Sequence, residues 1–143
     1  MKIGRIKRFS ERVFEAVLSL LPQLAPGADL PTKAYLKSIL ASENIHFFTG
    51  ALDDKRIVAM LTIGTYNTPS GRKVWIEDVV VDESQRGKGF GEEIMLFAIC
   101  YSKSLGAGSI SLTSRPSRTA ANKLYQKLGF KQYETNVYKY LLE

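Results

Sequence analysis

A chain of 143 residues with 45% apolar and 24% charged residues has an ordinary globular balance, which excludes a disordered polymer and fits one domain. Its formal net charge of +6, from 20 Lys and Arg against 14 Asp and Glu, suits an anionic partner: nucleic acid, a membrane surface or a phosphorylated cofactor. The basic residues form no dense run, the most apolar stretch (Ile94 to Tyr101) is far too short to cross a bilayer, and a lone cysteine excludes an internal disulfide.

Residues 2–7 read as a first strand; they alternate apolar and basic, so they offer no apolar stretch of a secretory signal. Ser10 is placed to cap a helix over 11–21, with Phe14, Val17, Leu18 and Leu21 at helical spacing. PQLAPGADLP should break that helix, and Pro31 suits the first turn of a second one ending near Ser42. Strands follow at 44–51 and 56–65, joined by the turn at Asp53-Asp54. A turn near Asn67 to Gly71 leads to a strand at 73–81. A Gly-rich turn then opens a helix that ends near Leu105, with Gly106 as its stop. A strand at 109–113, a helix at 117–128 and two closing strands at 130–134 and 136–142 complete the chain. Helices interspersed among hairpin-joined strands predict a mixed α/β fold, a central and largely antiparallel sheet with helices on both faces. With no linker or repeat, 1–143 reads as a single domain. Cys100 reads as a small buried side chain on the helix and fits a reducing, cytoplasmic compartment.

Arg86-Gly87-Lys88-Gly89-Phe90-Gly91 lies between the strand VWIEDVVV and the helix EEIMLFAICYSKSL. Three glycines there clear the way to backbone N–H groups, which with the helix dipole form an anion site beside the charges of Arg86 and Lys88. Glycines also serve merely to permit a tight connection. A P-loop would need Ser or Thr after the lysine, where this chain has Gly89. The spacing is also not that of a dinucleotide-binding fingerprint. On the strand, strict alternation would put Trp75, Glu77, Val79 and Val81 on one face and Asp78 on the other, unless a bulge intervenes. On the following helix, Ile94, Phe97, Ala98, Tyr101 and Leu105 should face the sheet.

Val79-Val80-Val81 followed by Arg86-x-x-Gly89-x-Gly91 resembles the acetyl-CoA signature of the GNAT superfamily of N-acetyltransferases. The block Ala120-Ala121-Asn122-Lys123-Leu124-Tyr125-Gln126-Lys127-Leu128-Gly129-Phe130 is similar to the family's second signature, and the two with their surroundings cover about half the chain. The resemblance implies acetyl-CoA as cosubstrate, no metal, and an amine acceptor, with no role for nucleic acid or membrane. It also admits a homodimer. It places the pyrophosphate at Arg86 to Gly91 and the pantetheine arm along Val79 to Val81, where a backbone N–H would steady the oxyanion. Where many members carry Asn seven residues before the tyrosine, this chain has Arg118; Asn122 is the residue left to supply an amide to the cofactor.

The resemblance makes Tyr125 the general acid that faces the departing sulfur. Ala121, Leu124, Tyr125 and Leu128 also form an apolar helical stripe, so a packing role stands beside the catalytic one. A thiol near pKa ~8.5 and a phenol near ~10 make full proton transfer uphill by roughly 2 kcal/mol, so the hydroxyl suits hydrogen-bond donation to the thiolate. Glu77 is the candidate base that takes the ammonium proton; its other reading is a solvated or paired strand residue. His46, among Ile45, Phe47 and Phe48, reads as structural. Arg115, Arg118 and Lys123 either add charge near the phosphates or form a solvated helix face. The acceptor itself is left open, its contacts assigned to the 22–33 connection, the Glu77 strand and the closing hairpin. Competing readings are an acetyl-CoA-binding sensor or subunit without turnover, and a small basic nucleic-acid binder.

Overall fold

The computed structural model describes residues 1–142 and resolves into two compact units, Met1–Thr113 and a smaller one from Ser114 onward. In the first unit the elements run β1 (Lys2–Arg5), α1 (Glu11–Leu24), α2 (Lys33–Ala41), β2 (Ile45–Ala51), β3 (Ile57–Thr68), β4 (Gly71–Val81), a short 3-10 turn (Glu83–Gln85) and α3 (Phe90–Ser104). The second unit holds α4 (Thr119–Lys127).

The four strands pair antiparallel in the order β1-β2-β3-β4. A single parallel bridge, Trp75 to Ser111, is all that forms of the strand expected at 109–113. The closing strands expected at 130–134 and 136–142 do not form; these residues carry no regular structure, and Tyr133, Val137, Tyr138, Tyr140, Leu141 and Leu142 are exposed. Alternating β-favouring residues give a strand only when a neighbouring edge takes up their hydrogen bonds.

Helix starts follow side-chain chemistry. The Ser10 hydroxyl accepts from Val13 N–H at 3.3 Å and Thr32 caps α2 by accepting from Tyr35 N–H at 3.1 Å, so Pro31 stands before the cap rather than in the first turn. α1 runs through Pro22 to Leu24 instead of breaking there. Proline removes one helical N–H, and here its ring lies on the solvent side while Leu20 is buried and Leu21 and Leu24 pack against the core.

Pairing register assigns each side chain to a face. Phe47, Met60 and Val80 face α1 and α2, whose Val13, Val17, Leu20 and Leu36 bury against them. Phe48, Leu61, Ile63 and Ile76 occupy the opposite face, where Phe48 meets the rings of Phe97 and Tyr101 of α3 at 5.1 and 4.8 Å. Helices therefore cover both faces of this sheet, as predicted. α3 buries Met95 and Ser102 as well as Ile94 and Ala98. Cys100 is exposed, because it falls on the side of α3 turned from the sheet. His46 is buried under α3: Arg5 donates to the Tyr101 oxygen at 3.3 Å, and that hydroxyl shares a hydrogen bond with Nδ1 of His46 at 2.6 Å. Burial first, then the charge of Arg5, lowers the pKa of His46 and keeps the ring neutral, which suits a structural residue.

Among the described residues no helix is long and apolar enough to cross a membrane. Phe48 is 1% exposed at the centre of the sheet–α3 contact. Phe48→Ala should lower the unfolding free energy by about 3–5 kcal/mol in urea titrations, through lost burial plus the cavity left beneath Phe97 and Tyr101.

Candidate active site

Strict alternation fails within β4. The register runs Gly64–Trp75 and Thr62–Glu77, then Met60–Val80 and Ala59–Val81, so Leu61 stands opposite two residues, Asp78 and Val79. That is a β-bulge, and Asp78 adopts φ 51° within it, a left-handed conformation that Asp tolerates better than most residues. The bulge overturns the expected grouping: Glu77 and Trp75 share their face with Val80, while Val81 points to the α3 face with Ala59.

The backbone also changes sides. Ile76 N–H donates to Ser111 at 2.9 Å, so before the bulge the even-numbered residues face the outer edge. Asp82 N–H donates to Val58 at 2.8 Å, so beyond the bulge the outward backbone belongs to Val79 and Val81. Val80 turns its backbone to Met60 and buries its side chain in the α1 core. Within this unit no strand pairs with the outer edge past Ser111, and the Val81 carbonyl accepts from Arg86 Nε at 3.2 Å.

The turn after β4 is held from its flank. Asp82 caps the 3-10 segment, its carboxylate accepting from Ser84 N–H at 2.9 Å, while Gln23 of α1 donates to Asp82 Oδ2 at 3.3 Å and accepts from Glu83 N–H at 2.8 Å. The Ser84 hydroxyl foremost, opposed by burial and helped by Gln23, the Ser84 N–H and the charge of Arg56, holds the Asp82 carboxyl below its ordinary pKa. This clamp contributes above the unfolded pKa of Asp82 and is lost as pH falls through the lowered folded value. Gln23 belongs to no motif, and nothing in the sequence marked it beyond its place at the end of α1.

Gly87 and Gly89 sit at φ 75° and 82°, and a Cβ at either would meet nothing within 4 Å. The glycines are therefore required by backbone conformation, and the space before them is open. No side chain caps α3: Gly89 is its N-cap, and Glu93 N–H makes the first helical bond, to the Gly89 carbonyl at 3.0 Å. The N–H groups of Phe90 and Gly91 precede that bond, so they face the N-terminal opening of the helix. Lys88 Nζ donates to Gln85 at 2.9 Å, which keeps its charge beside the opening. Donors, dipole and open space together fit a pyrophosphate.

Glu77 and Asp78 are exposed, yet both titrate above their ordinary values. Burial of the carboxyl dominates in each, and the neighbouring charge of Asp78 adds to it for Glu77. Among the described residues no group of His, Cys, Asp and Glu is arranged to hold a metal ion.

In the second unit, α4 half-buries Ala121, Leu124, Tyr125 and Leu128 and exposes Lys123, Gln126 and Lys127, the stripe expected from sequence. Tyr125 packs against Phe130 at a ring separation of 6.0 Å. Burial raises its pKa, opposed by the positive charge of Arg118, so the hydroxyl stays protonated at neutral pH. Asn122 Nδ2 donates to the Arg115 carbonyl at 3.0 Å, which ties this amide to the start of its own helix.

Residues 13–130 match the Acetyltransferase (GNAT) family, a span that runs from the first unit into the second. The chain belongs to the GNAT acetyltransferase family. It is 39% identical over 115 residues to the glucosamine 6-phosphate N-acetyltransferase of Trypanosoma brucei brucei, which covers 78% of this chain and 71% of that protein. It is 41% identical over 58 residues to an uncharacterised N-acetyltransferase of Bacillus subtilis, spanning 41% of this chain and 37% of that protein. The first curated relatives are thus matched over less than half their own length. Among solved structures, an aminoglycoside acetyltransferase from an uncultured soil metagenomic sample superposes with a TM-score of 0.85 at 19% identity, covering 99% of this chain and 95% of that one. That likeness shows the fold. GNAT membership implies use of acetyl-CoA, and the mixed α/β fold is that of the family.

Gly89→Val should abolish acetyl-CoA binding, by strain at positive φ and by filling the space before the α3 amides. Gly106→Val imposes a similar strain, about 1–2 kcal/mol, at φ 74° beyond the other end of α3 and should leave affinity unchanged. Calorimetric titration of both variants makes the comparison; equal affinity in the two would remove the pyrophosphate from this turn.

Proposed function

We propose that this protein transfers the acetyl group of acetyl-CoA directly to a primary amine, with 1–143 acting as one N-acetyltransferase domain. The observation that carries the reading is the junction of a bulged, unpaired strand edge with an uncapped, glycine-lined helix N-terminus. Acetyl-CoA supplies an activated thioester and a stable leaving thiolate. The amides of Phe90 and Gly91, with Arg86 and Lys88, hold its pyrophosphate. The outward Val79 N–H, beside an edge that accepts an extended ligand as an added strand, holds the thioester oxygen and stabilises the oxyanion.

Glu77 takes a proton from the ammonium form of the acceptor and frees the nitrogen lone pair for the carbonyl carbon. Its raised pKa brings the carboxylate nearer the working pH and makes it a better base than an ordinary glutamate. By the resemblance, Tyr125 gives the departing sulfur a hydrogen bond as the carbon–sulfur bond breaks, and the proton that the nitrogen loses on becoming an amide neutralises the thiolate. Arg118, standing where many relatives carry Asn, opposes the effect of burial on that hydroxyl and keeps it a more effective donor. Acceptors that relatives take include, by the name of one, glucosamine 6-phosphate, an amine on a sugar ring.

Two measurements test the assignments. Glu77→Gln should slow acetylation most at low pH, and Asp78→Asn, by removing the negative neighbour, should move the acid limb of kcat/KM to lower pH. Profiles identical to the parent in both variants would return Glu77 to a structural role. Tyr125→Phe keeps the ring against Phe130 and removes only the hydroxyl, so turnover should fall roughly 10- to 1,000-fold with far less change in acetyl-CoA affinity. Unchanged saturation kinetics, with chemistry rate-limiting, would leave Tyr125 a packing residue.

A further inference from the structure

The half of the sheet face beyond α1 carries an ordered strip of side chains. Register puts Glu77, Trp75 and Lys73 of β4 on this face, with Gly64 opposite Trp75 and Tyr66 opposite Lys73 on β3. Trp75 Nε1 donates to the Tyr66 hydroxyl at 3.2 Å, which fixes the two rings relative to each other. Tyr66 is 50% exposed, Trp75 is half-buried, and Glu77 is exposed. Gly64 puts no side chain of its own beside the indole, and Ile45 of β2, its partner on the other side, flanks the strip there.

We infer that the Trp75–Tyr66 pair is the acceptor platform, and that the acceptor is a primary amine whose molecule carries a ring close to the nitrogen; this rests on the acetyl-transfer reading above. Charge and shape select the class. Glu77 puts a carboxyl at one end, with the charge of Asp78 in the bulge beside it, and a cationic ammonium is attracted there and then deprotonated. The fixed aromatic pair beside them receives the face of a ring by packing against it, and an adjacent ammonium gains from the indole face. Lys73 lies four residues from Glu77, about 13 Å along the strand, and repels a second cation at the far end of a linear polyamine. A ring face that packs on an aromatic is offered by an arylalkylamine, whose ring is flat, and by an amino sugar, whose chair presents a face of C–H groups, and the test separates them.

Trp75 is the single tryptophan of the chain, so its fluorescence reports occupancy of the platform without any need for turnover. Phenethylamine, glucosamine, butylamine and spermidine are titrated into the acetyl-CoA-saturated protein, and thiol release is followed in parallel. One or both ring amines should change Trp75 emission saturably, and their kcat/KM should exceed that of butylamine and spermidine by roughly 10-fold or more. Tyr66→Ala, at an exposed position that does not threaten folding, and Trp75→Leu should each reduce that ratio by roughly 3- to 10-fold, the worth of one stacking contact. An emission change with phenethylamine alone or glucosamine alone identifies the source of the ring. No emission change with either ring amine overturns the platform, and so does a ratio near one that both variants leave unmoved. Thiol release with every amine but no emission change overturns the platform and leaves the transferase reading standing. Saturable emission changes without thiol release keep the platform and overturn that reading.

Discussion

β3 and β4 pair over most of their length, yet the pairing cannot be continuous, because three steps along β4 from Glu77 to Val80 match two steps along β3 from Thr62 to Met60. The extra residue has to be absorbed locally, and it is absorbed at Asp78. The positive φ there is tolerated by Asp and held by ladder bonds on both sides, the usual condition under which such strain persists. Everything at the site inherits this offset. Ahead of it, Trp75 and Glu77 look out on the face that α1 leaves open; behind it, Val80 seals the α1 core. At the bulge and beyond it, Val79 and Val81 turn their backbones to the free edge. Without the extra residue, the outward amides and the carboxyl could not be close in sequence yet directed differently.

The turn that follows depends on the same strand. Val81 ends β4 with its carbonyl on Arg86, and Asp82 starts the 3-10 segment that reverses the chain into α3. Gln23 fastens this reversal from α1, bridging Asp82 and Glu83. The anion site is therefore braced by the helix on the other face of the sheet, and its amides are set in place before any phosphate arrives, which reduces the ordering cost of binding.

Local signals made the turn legible. Glycines at Gly87 and Gly89, the helix behind them and the strand before them could be read in order, since each depends on neighbours in sequence. The helix caps at Ser10 and the stop at Gly106 were legible for the same reason. What was not legible depends on partners distant in the chain. The bulge is a mismatch between two strands, so a regular alternation such as VWIEDVVV hides it and misassigns Val81 to the face of Glu77. Pro22 looks like a breaker, but the burial of Leu20, Leu21 and Leu24 carries α1 past it. Cys100 shows the same effect on α3: apolar neighbours suggested burial, whereas the direction of the helix toward Phe48 decides exposure. The segment 130–142 has the composition of strands and no strand partner in the structure, so composition alone overstated it.

Proton economy ties the two candidate catalytic groups together. Amine attack needs the acceptor to lose a proton and the sulfur to receive hydrogen-bond support, two demands that pull on pKa values in different ways. Burial raises both Glu77 and Tyr125, but the consequences differ. For the carboxyl, a higher value gives a stronger base; for the phenol, it secures the protonated donor but weakens it as an acid. Each group then has a charged neighbour acting in the useful direction. Asp78 pushes Glu77 further up, while Arg118 pulls Tyr125 back down. Asp78 thus has two effects from one position: its backbone accommodates the offset in the sheet, and its charge raises the pKa of Glu77 beside it.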